Sequence, residues 1–448
     1  MEGAKRLDAE YYQPEYLDLE KKFTALNTKA IEEISKSVVS FGAYSLTNYI
    51  EWKESGVPYV NVGDIRNGYI DFSDVKYISE KVDEILQKSR ITNGQVLLTM
   101  AGTIGNAAVV YNLLRNANAN QAIAKITPSA IISPYYLAAF LNSKYGLLQT
   151  QREVVSCVQA NIFLGTIKKF KVPIFGREQM AEIEDKYQSF LQELENAKLL
   201  YSQAESLLLE KLGLKDFAEE QSLYSVVNFS ELKETRRMDA EYFQPKYKQL
   251  LNNLSKNFNL RFLGDVASIK RGSLIAPRFY SDTSGTPYIR GGDFSSGRFE
   301  KIGLVYINDN FQPKSETRVK EGDIVFASIG SVGTLAVVPK ELDKSFISNN
   351  TAKISIKDKE HLIPEYLGLT LHSIIGKLQF EKEMSQTAQP KISDSQVKSF
   401  YIPTLSEATQ QKIAELVKQS HEARRKAKSL LEEAKHKVEE LIEKAQKV

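Results

Sequence analysis

The sequence predicts an α+β protein in which two pseudo-symmetric α/β domains are joined by two long antiparallel helices that form a coiled-coil spacer. Three observations predict this fold: an internal repeat, strand patterns that recur in the same order, and a heptad pattern at the end of each half. Segment 237–247 repeats segment 6–16 almost letter for letter. Because the period is about half the chain, we expect two copies of one domain rather than a solenoid.

The composition limits the class of protein. The 448 residues are 42% hydrophobic and 26% charged, as in soluble globular proteins of two or three domains. The formal net charge of +3 permits a nucleic-acid partner without requiring one. The single cysteine, Cys157, excludes a disulfide framework or a thiolate zinc cluster within one chain. The sequence opens without a signal-peptide pattern and its most apolar window, 130–141, is too short to span a membrane, so we expect a cytoplasmic protein.

Strand patterns appear in the first half and return in the second. Apolar residues alternate at 58–62 and 69–72. Segment 93–100 is a turn followed by an apolar strand, and it leads through a glycine turn into 107–111. Residues 134–149 have the pattern of one helix with proline in its first turn. The matching pairs are 56–65 with 285–294, 93–105 with 321–333, 134–137 with 364–367, and 170–173 with 400–403. We therefore expect the same succession of strands and helices in both domains.

Each half ends in a long amphipathic helix. Apolar residues recur at alternating four- and three-residue steps, as at the a and d positions of a coiled coil. The expected seam residues are Ile183, Tyr187, Phe190, Leu194, Ala197, Tyr201, Ala204 and Leu208 in the first helix, and Ile413, Leu416, Ser420, Ala423, Ala427, Leu430, Ala434, Val438 and Leu441 in the second. The two helices can bury these seams against each other, antiparallel, with one domain at either end. About 36 residues at about 1.5 Å each span about 54 Å, on the order of one to two DNA turns.

The domain boundaries follow from the repeat and from the helix signals. Gly213 is a helix stop, and the polar stretch after it is typical of a linker. The expected boundaries are 1–172 for the first domain, 173–213 for the first long helix, 214–236 for the linker, 237–404 for the second domain and 405–448 for the second long helix.

The repeated elements resemble those of a known family. They are the openings 8–14 and 239–245, the glycine–aspartate elements 63–65 and 292–294, the paired glycine turns 102–105 and 330–333, and the segments 161–173 and 391–403. In this order they resemble the specificity (S) subunits of type I restriction-modification systems, over essentially the whole chain. The resemblance implies two target-recognition domains, each recognising half of a split double-stranded DNA sequence. It also implies two docked methyltransferase (modification) subunits, restriction subunits in the full complex, and no catalytic residue on this chain.

The residues themselves support no catalytic site. An adenine methyltransferase needs an Asn/Asp-Pro-Pro-aromatic loop, but the chain has no Pro-Pro pair, and the glycine spacing of a nucleotide-binding loop is also missing. The glycine turn 330–333 is therefore expected to join two strands. His421 and His436 lie on the last helix at a spacing that gives no metal site, and all four histidines, His361, His372, His421 and His436, are expected to be solvated. We expect no enzyme activity, no cofactor and no metal.

Side chains suited to DNA lie in turn-rich segments that differ between the two copies. Arg and Lys bind guanine, Asn and Gln bind adenine, and basic or hydroxyl groups hold phosphates. The candidates are Tyr44, Asn48, Asn61, Arg66, Asn67, Gln159 and Asn161 in the first domain, and Lys270, Arg271, Arg278, Tyr280, Arg290, Arg298, Gln389 and Lys391 in the second. Because the framework strings match while these stretches differ, we expect readers of two different half-sites. For any single candidate an ordinary exposed loop residue stays open, and the asparagines of 118–121 and 348–350 could equally bind bases or shape turns.

Two other classes of function stay open. One is a non-catalytic scaffold that binds partner helices through the coiled coil and other proteins through its globular domains. Salt dependence discriminates it from a DNA-binding protein, because binding through several phosphates weakens steeply with salt. A standalone enzyme is disfavoured by the missing motifs. The doubled opening is expected to be architecture, with Tyr11, Tyr12, Tyr242 and Phe243 packing where each domain meets the paired helices.

Overall fold

The computed structural model describes most of the chain in two units. The described residues are 8–41, 50–154, 160–219, 222, 224–235, 237–295, 297–299, 305–311, 318–357, 361–385 and 387–445. The first unit comprises Met1–Glu195 and Ala423–Val448, and the second comprises Asn196–Glu422. Each unit therefore contains one globular domain and one half of each long helix.

The described helices fall mostly in pairs that repeat between the units. They are α1 (Pro14–Thr24), α2 (Glu80–Ile85), α3 (Pro134–Asn142), α4 (Lys144–Glu153), α5 (Leu164–Lys168), α6 (Arg177–Lys211), α7 (Phe229–Thr235), α8 (Pro245–Asn257), α9 (Leu263–Val266), α10 (Pro364–His372), α11 (Ile374–Glu383), α12 (Asp394–Lys398) and α13 (Glu407–Lys444). A short 3-10 helix precedes α1 at Ala9–Tyr12, and another precedes α8 at Ala240–Phe243. None of the described helices is long and apolar enough to cross a membrane.

The strands are short and belong to several small sheets. Those of the first unit are β1 (Thr28–Ala30), β2 (Ser35–Val39), β3 (Val57–Val60), β4 (Lys76–Ile78), β5 (Arg90–Ile91), β6 (Val96–Thr99), β7 (Ala107–Val109), β8 (Ala117–Ala119), β9 (Ile123–Pro128) and β10 (Lys171–Pro173). Those of the second unit are β11 (Leu260–Phe262), β12 (Ala267–Arg271), β13 (Tyr280–Ser281), β14 (Thr286–Ile289), β15 (Phe294–Ser295), β16 (Arg298–Phe299), β17 (Val305–Ile307), β18 (Ile324–Ala327), β19 (Leu335–Val337), β20 (Phe346–Ile347), β21 (Thr351–Ile356) and β22 (Tyr401–Pro403).

The two main sheets of one unit return in the other. An antiparallel sheet of order β2-β9-β6-β7 corresponds strand by strand to β12-β21-β18-β19. In the second sheets, β4-β3-β8-β5 and β13-β17-β14-β20, the strands β4, β3 and β8 correspond to β17, β14 and β20, and the pairs β3/β8 and β14/β20 are parallel. The outer strands β5 and β13 correspond to single β-bridges, Arg318 with Phe346 and Lys53 with Tyr77. The antiparallel pair β1-β10 joins the first and last strands of the first domain, and β11-β22 does the same in the second domain. The predicted fold class of two α/β domains joined by long helices is confirmed.

The central strands are buried on both faces because alternate residues enter two different cores. In β6, Val96 and Leu98 pack with the helices of the first domain, while Leu97 packs with the second sheet. In β18, Ile324 and Phe326 lie in the helix-side core and Val325 in the other. Side chains of a strand alternate between its faces, so a continuous apolar run fits a strand with a core on each side.

The predicted single helix over 134–149 is two helices, α3 and α4. The hydroxyl of Ser143, which lies between them, donates to the carbonyl oxygen of Phe140 (2.6 Å) and accepts from the amide of Gly146 (3.4 Å). A Cβ on Gly146 would collide with the Phe140 carbonyl oxygen, so the tight junction needs glycine. Ser373 repeats the arrangement between α10 and α11, donating to the carbonyl oxygen of Thr370 (2.7 Å).

The long helices run antiparallel, as predicted. In the first unit Glu182 contacts Lys437 (2.8 Å) and Lys186 contacts Glu433 (2.7 Å), so residue numbers rise on one helix as they fall on the other. In the second unit the Ser420 hydroxyl donates to the Ala197 carbonyl oxygen (2.6 Å). The helices also belong to the domain cores, because buried side chains of α6 and α13 lie in the same hydrophobic cluster as the domain of their unit.

The seam of α13 departs from the expected strict heptads at two positions. Leu416 and Leu430 are half-buried, while their neighbours Val417 and Leu431 are 3% and 5% exposed. The other seam residues that were expected on α13 are buried, as are those of α6 except the half-buried Tyr201. The shift arises because α13 packs against a domain as well as against α6, which needs a wider apolar face than an a/d stripe.

A buried lysine stands at the same place in both units but with different partners. Lys125 of β9 and Lys353 of β21 are 3% and 8% exposed. The Nζ of Lys353 lies 3.3 Å from a carboxylate oxygen of Asp323. In the first unit Gln95 occupies the position of Asp323, and the Nζ of Lys125 donates to the carbonyl oxygens of Lys88 and Arg90. Burial lowers the pKa of Lys125 to about 8.

We expect the substitution Gln95→Asp to stabilise the first unit. The aspartate would supply the missing counter-charge and keep an acceptor for the amide of Thr92, as Asp323 does for the amide of Lys320 (2.9 Å). A rise of one unit in the pKa of Lys125 corresponds to about 1.4 kcal/mol, so we expect a gain of about 1–2 kcal/mol at neutral pH in urea unfolding.

The pH dependence provides the control for this prediction. With a folded-state pKa near 8 and an ordinary value of 10.5, the unfolded chain binds more protons between these pH values, so wild-type stability rises across that window. Gln95→Asp should flatten the rise. The converse substitution Asp323→Gln removes the counter-charge of Lys353 and leaves the carbonyl oxygen of Arg318 (2.6 Å) as its acceptor, so it should cost about 1–2 kcal/mol. Equal stability of Gln95→Asp and wild type at pH 7 would contradict the assignment.

Candidate nucleic-acid interface

The predicted DNA-contacting residues fall into separate groups in the structure. Tyr44, Asn48 and Gln159 lie outside the described residues. Of the others, one group gathers where β3 or β14 ends beside a glycine turn, and we call this region the loop edge of each domain. A second group lies on a turn that packs against the long helices. The remaining candidates lie on β12, in the loop before β22, or near β13.

Three segments form the loop edge of the first domain. Asn61 follows β3 directly, and the amide of Asn120 donates to the carbonyl oxygen of Val60 (2.8 Å). Asn161 forms a β-bridge with Ala101 at the start of the glycine turn. Gly102, the first glycine of that turn, lies beside Val62. Backbone pairing thus brings Asn61, Asn120 and Asn161 to one edge although they lie far apart in sequence.

The loop edge of the second domain has the same backbone pairing and different side chains. Arg290 follows β14, and Lys391 forms a β-bridge with Ile329 as Asn161 does with Ala101. Arg271, at the end of β12, donates to the carbonyl oxygen of Ile392 (2.9 Å). Its guanidinium also lies 3.2 Å from the carboxylate of Asp394. Three basic residues therefore stand at the second loop edge, where the first has Asn61 and Asn161 and, in place of Arg271, Ser40.

An aspartate fixes the backbone at both loop edges. Asp64 accepts from the amide of Asn61 (2.7 Å), and Asp293 accepts from the amide of Arg290 (2.7 Å). Burial raises the pKa of the Asp64 carboxyl above its ordinary value. In the second domain the guanidinium of Arg290 also approaches Asp293 (3.4 Å), which orients the side chain while leaving it 42% exposed. The aspartate has the same structural role in both domains, whereas the residue whose amide it binds differs, Asn61 in the first and Arg290 in the second.

Gly63 and Gly292 lie beside these aspartates, and nothing in the described residues requires glycine at either position. A Cβ on Gly63 or Gly292 would have no heavy atom within 4 Å, and neither residue has a positive φ. Both are exposed. Glycine at such a place fits a surface to which another molecule's backbone comes close.

Arg66, Asn67 and Arg298 lie on the turn that faces the long helices. Next to Asn67, the carbonyl oxygen of Gly68 accepts from the Tyr187 hydroxyl of α6 (2.6 Å). Arg298 follows Gly297, where a Cβ would lie 2.7 Å from the Tyr201 hydroxyl. Asn67 and Arg298 therefore lie beside turns that pack against the helices, whereas the exposed guanidinium of Arg66 lies 4.0 Å from Asp71 and close enough to act on Asp64 of the loop edge.

The remaining second-domain candidates lie on β12, near β13 and in the loop before β22. Lys270 is exposed on β12, and Gln389 is exposed just before Lys391. The Tyr280 hydroxyl donates to the carbonyl oxygen of Ile275 (3.0 Å), and the exposed Arg278 lies over the ring of Phe279 (5.0 Å).

Trp52 is a surface aromatic that the sequence comparison missed. Lys53 bridges Tyr77 as Ser281 pairs with Tyr306, which puts Trp52 at the register position of Tyr280. Trp52 is 46% exposed, and the Nζ of Lys76 lies 4.9 Å from its ring centroid. One extra residue separates Tyr280 from the following strand in the second copy, so a gap-free comparison of the copies does not align the two aromatics.

Two other expectations need correction. Tyr11 and Tyr242 of the doubled opening pack against α4 and α11 of their own domains: the Tyr11 hydroxyl donates to Glu153 (3.0 Å), and Lys382 lies over the Tyr242 ring (4.6 Å). His372 is not solvated, since burial, with Lys377 and Arg298 nearby, lowers its pKa to about 4. Asn118, an open case, is fully buried and donates to Asp83, so its role is structural.

The described residues contain no group of three His, Cys, Asp or Glu placed to hold a metal ion.

Residues 26–200 and 255–433 match the family model of the type I restriction modification DNA specificity domain. The chain belongs to this family. The resemblance seen in the repeated motifs is thereby confirmed, and each half of this specificity protein carries one copy of the family domain.

Individual relatives give more local or more distant matches. The type I restriction enzyme EcoBI specificity subunit of Escherichia coli is 29% identical over 134 residues, which are 29% of this chain and 27% of that protein. The chain thus matches about a quarter of that relative's length. The solved S subunit of a type I system from M. genitalium is 15% identical, with 94% of this chain and 96% of that chain covered and a TM-score of 0.42. The HsdS subunit of Thermoanaerobacter tengcongensis is also 15% identical, with coverages of 94% and 96% and a TM-score of 0.31. Family membership rests on the family model.

Proposed function

We propose that the chain is the DNA-specificity subunit of a type I restriction-modification system. It recognises a bipartite double-stranded DNA target, one half-site per domain, and positions two methyltransferase subunits and the restriction subunits on it. It catalyses no reaction itself. The observation that carries the proposal is the repetition of one family domain with matching backbone and different side chains at its loop edge.

The differences at the loop edges have the chemistry of base recognition. Asn61 and Asn161 of the first domain correspond to Arg290 and Lys391 of the second. Asparagine makes paired hydrogen bonds to adenine, whereas arginine and lysine prefer guanine or phosphate. The two domains therefore recognise different half-sites while sharing one framework.

The loop-edge residues are the strongest candidates for DNA contact. They are Asn61 and Asn161 in the first domain and Arg271, Arg290 and Lys391 in the second. Trp52 joins Tyr280 as a candidate aromatic contact, and Tyr44, Asn48, Gln159, Lys270, Arg278 and Gln389 remain predicted contacts. Arg66 also remains a predicted contact, while for Asn67 and Arg298 packing of their turns against the long helices is the better supported role.

The remaining parts of the chain serve this function as follows. Segments 1–172 and 237–404 are the target-recognition domains. The helices within 173–213 and 405–448 are the spacer on which the modification subunits dock, and 214–236 links the two copies. We propose that the chain works in the cytoplasm.

Methylome sequencing of cells with and without this chain tests the proposal. Cells that carry the chain with its modification subunits should methylate one split sequence, and deletion of the chain alone should abolish that methylation. Binding of the purified complex to the split sequence should weaken steeply with salt because several phosphates are contacted. Unchanged methylation after the deletion, or binding insensitive to salt, would favour the scaffold alternative.

We expect the substitution Arg290→Ala to relax specificity at one base pair of the second half-site. Loss of a paired arginine contact costs about 1–3 kcal/mol of discrimination at that position. Affinity is measured on duplexes in which each base pair is changed in turn. Lys256→Ala, at an exposed lysine of α8, is the matched control and should leave the profile as in the wild type. A uniform loss at all positions would instead assign Arg290 to a phosphate.

A further inference from the structure

In the first unit a glycine turn is held between both long helices. Gly68 has a φ of +92°, and a Cβ there would lie 2.9 Å from a methyl carbon of Leu431 on α13 and 3.1 Å from the ring of Phe190 on α6. Its carbonyl oxygen accepts from the hydroxyl of Tyr187, which is fully buried. Its amide donates to the carbonyl oxygen of Ala107 in β7 (3.0 Å). Gly68 thus connects the sheet β2-β9-β6-β7 to the two long helices.

The second unit contains an equivalent turn with different side chains around it. Gly297 has a φ of +77° and forms a β-bridge with Ala336, as Gly68 does with Ala108. A Cβ on Gly297 would lie 2.7 Å from the hydroxyl of Tyr201 on α6. That hydroxyl is 2.9 Å from Nδ1 of His372 at the end of α10.

The two turns use corresponding positions on the long helices. Tyr201 of α6 and Leu431 of α13 are 230 residues apart, the same offset as Ile183 and Ile413 near the helix starts. In both units the turn therefore contacts the helix that comes from the other copy. The contact is present in both copies, with a leucine in the first unit and a tyrosine–histidine pair in the second.

The contact of Gly68 lies between two polar attachments of the domain to the long helices. Near the end of α13, Glu439 accepts from the amide of Lys144 (2.7 Å). Further along α6, Glu195 accepts from the side-chain amide of Asn112 (2.9 Å). At about 1.5 Å per residue, Leu431 is about 12 Å from Glu439, and Tyr187 is about 12 Å from Glu195. An attachment at one point would leave a hinge, whereas attachments spread along the axis fix an angle.

We propose that Gly68 and Gly297, with Tyr187 and Tyr201, are positioning residues that fix the angle of each recognition domain on the spacer helices. This inference rests on the proposed function, because the consequence of a fixed angle is a fixed gap between the half-sites. The residues do not touch DNA. They determine which gap length lets both loop edges engage one duplex at the same time.

The test is methylation of a plasmid library in cells that express the full chain with its modification subunits. The plasmids carry both half-sites, found by methylome sequencing, separated by randomised gaps of different length. Wild type should methylate one gap length. Gly68→Ala, which strains the turn and displaces Leu431, should lower methylation at that gap roughly 10- to 100-fold, as displacements of about 1 Å do in positioned complexes, and add neighbouring gaps.

Matched variants separate positioning from a general loss of stability. Gly94→Ala has the same backbone strain, since Gly94 has a φ of +84°, but nothing lies within 4 Å of its Cβ, so the gap preference should stay that of wild type. Leu431→Ala makes room for the added methyl group and should restore part of the preference in the double variant with Gly68→Ala. Tyr187→Phe keeps the ring and removes the hydroxyl that binds the turn and the backbone of Val109, and it should widen the gap preference without unfolding the domain.

The outcomes distinguish this inference from the function on which it rests. If wild type methylates none of the gaps, the proposed function fails. If wild type selects one gap and folded Gly68→Ala selects the same gap as strongly, the positioning role is wrong. Where Gly68→Ala does not accumulate, Tyr187→Phe decides by the same criterion.

Discussion

Replacement of residues 31–170 by the same part of another family member is expected to change one half of the methylated sequence and to leave the other half unchanged. The exchanged part contains the loop edge of the first domain. The junctions fall just inside the antiparallel pair β1-β10, so the strands that close the domain stay native. Methylome sequencing of cells that carry the hybrid with its modification subunits gives the result directly.

Two companion hybrids sharpen the exchange. The reciprocal exchange of residues 263–400, inside the pair β11-β22, should change the other half only. A hybrid whose incoming domain has a bulkier residue in place of Gly68 should bind its half-site but lose the native gap, because the turn contacts Phe190 and Leu431 of the retained helices. A change in both halves from a single exchange would contradict the modular assignment.

The repeat and the long helices could be predicted because they depend on local sequence. A 3.6-residue periodicity specifies an amphipathic helix wherever it packs, and α6 and α13 lie within the predicted segments. The strands of the central sheet were also predictable, since apolar runs such as β6 and β18 fit strands with a core on either side. The duplication strengthened each prediction, because the same weak sequence patterns occur in both halves of the chain and in the same order.

Features that depend on tertiary contacts could not be predicted in the same way. Asn61 and Asn67 are six residues apart in one turn-rich segment, yet Asn61 follows β3 at the loop edge and Asn67 lies beside Gly68 on the turn that faces α6. Sequence periodicity does not distinguish these environments. The shift of the seam from Leu430 to Leu431 has the same origin, since the Gly68 turn that meets Leu431 comes from far away in the chain.

Insertion of one heptad into both long helices is expected to lengthen the allowed gap between the half-sites. The insertions are placed after Ala197 and before Ser420, which face each other through a hydrogen bond of 2.6 Å, so the antiparallel pairing on either side keeps its register. Seven residues at about 1.5 Å add about 10.5 Å, which corresponds to about three base pairs of DNA at about 3.4 Å each. The gap library described above measures the change.

The position of the insertion, rather than its length, is what the controls examine. Seven polar residues added within the 214–236 linker should leave the gap as in wild type, because the linker lies outside both helices. A heptad added to α6 alone displaces Ala197 from Ser420 and should reduce methylation at every gap. Removal of one heptad from both helices should shorten the gap by the same amount. If the gap stayed fixed in the paired insertion and the paired deletion, the helices could not be the spacer, and the separation of the half-sites would have to be set by the modification subunits.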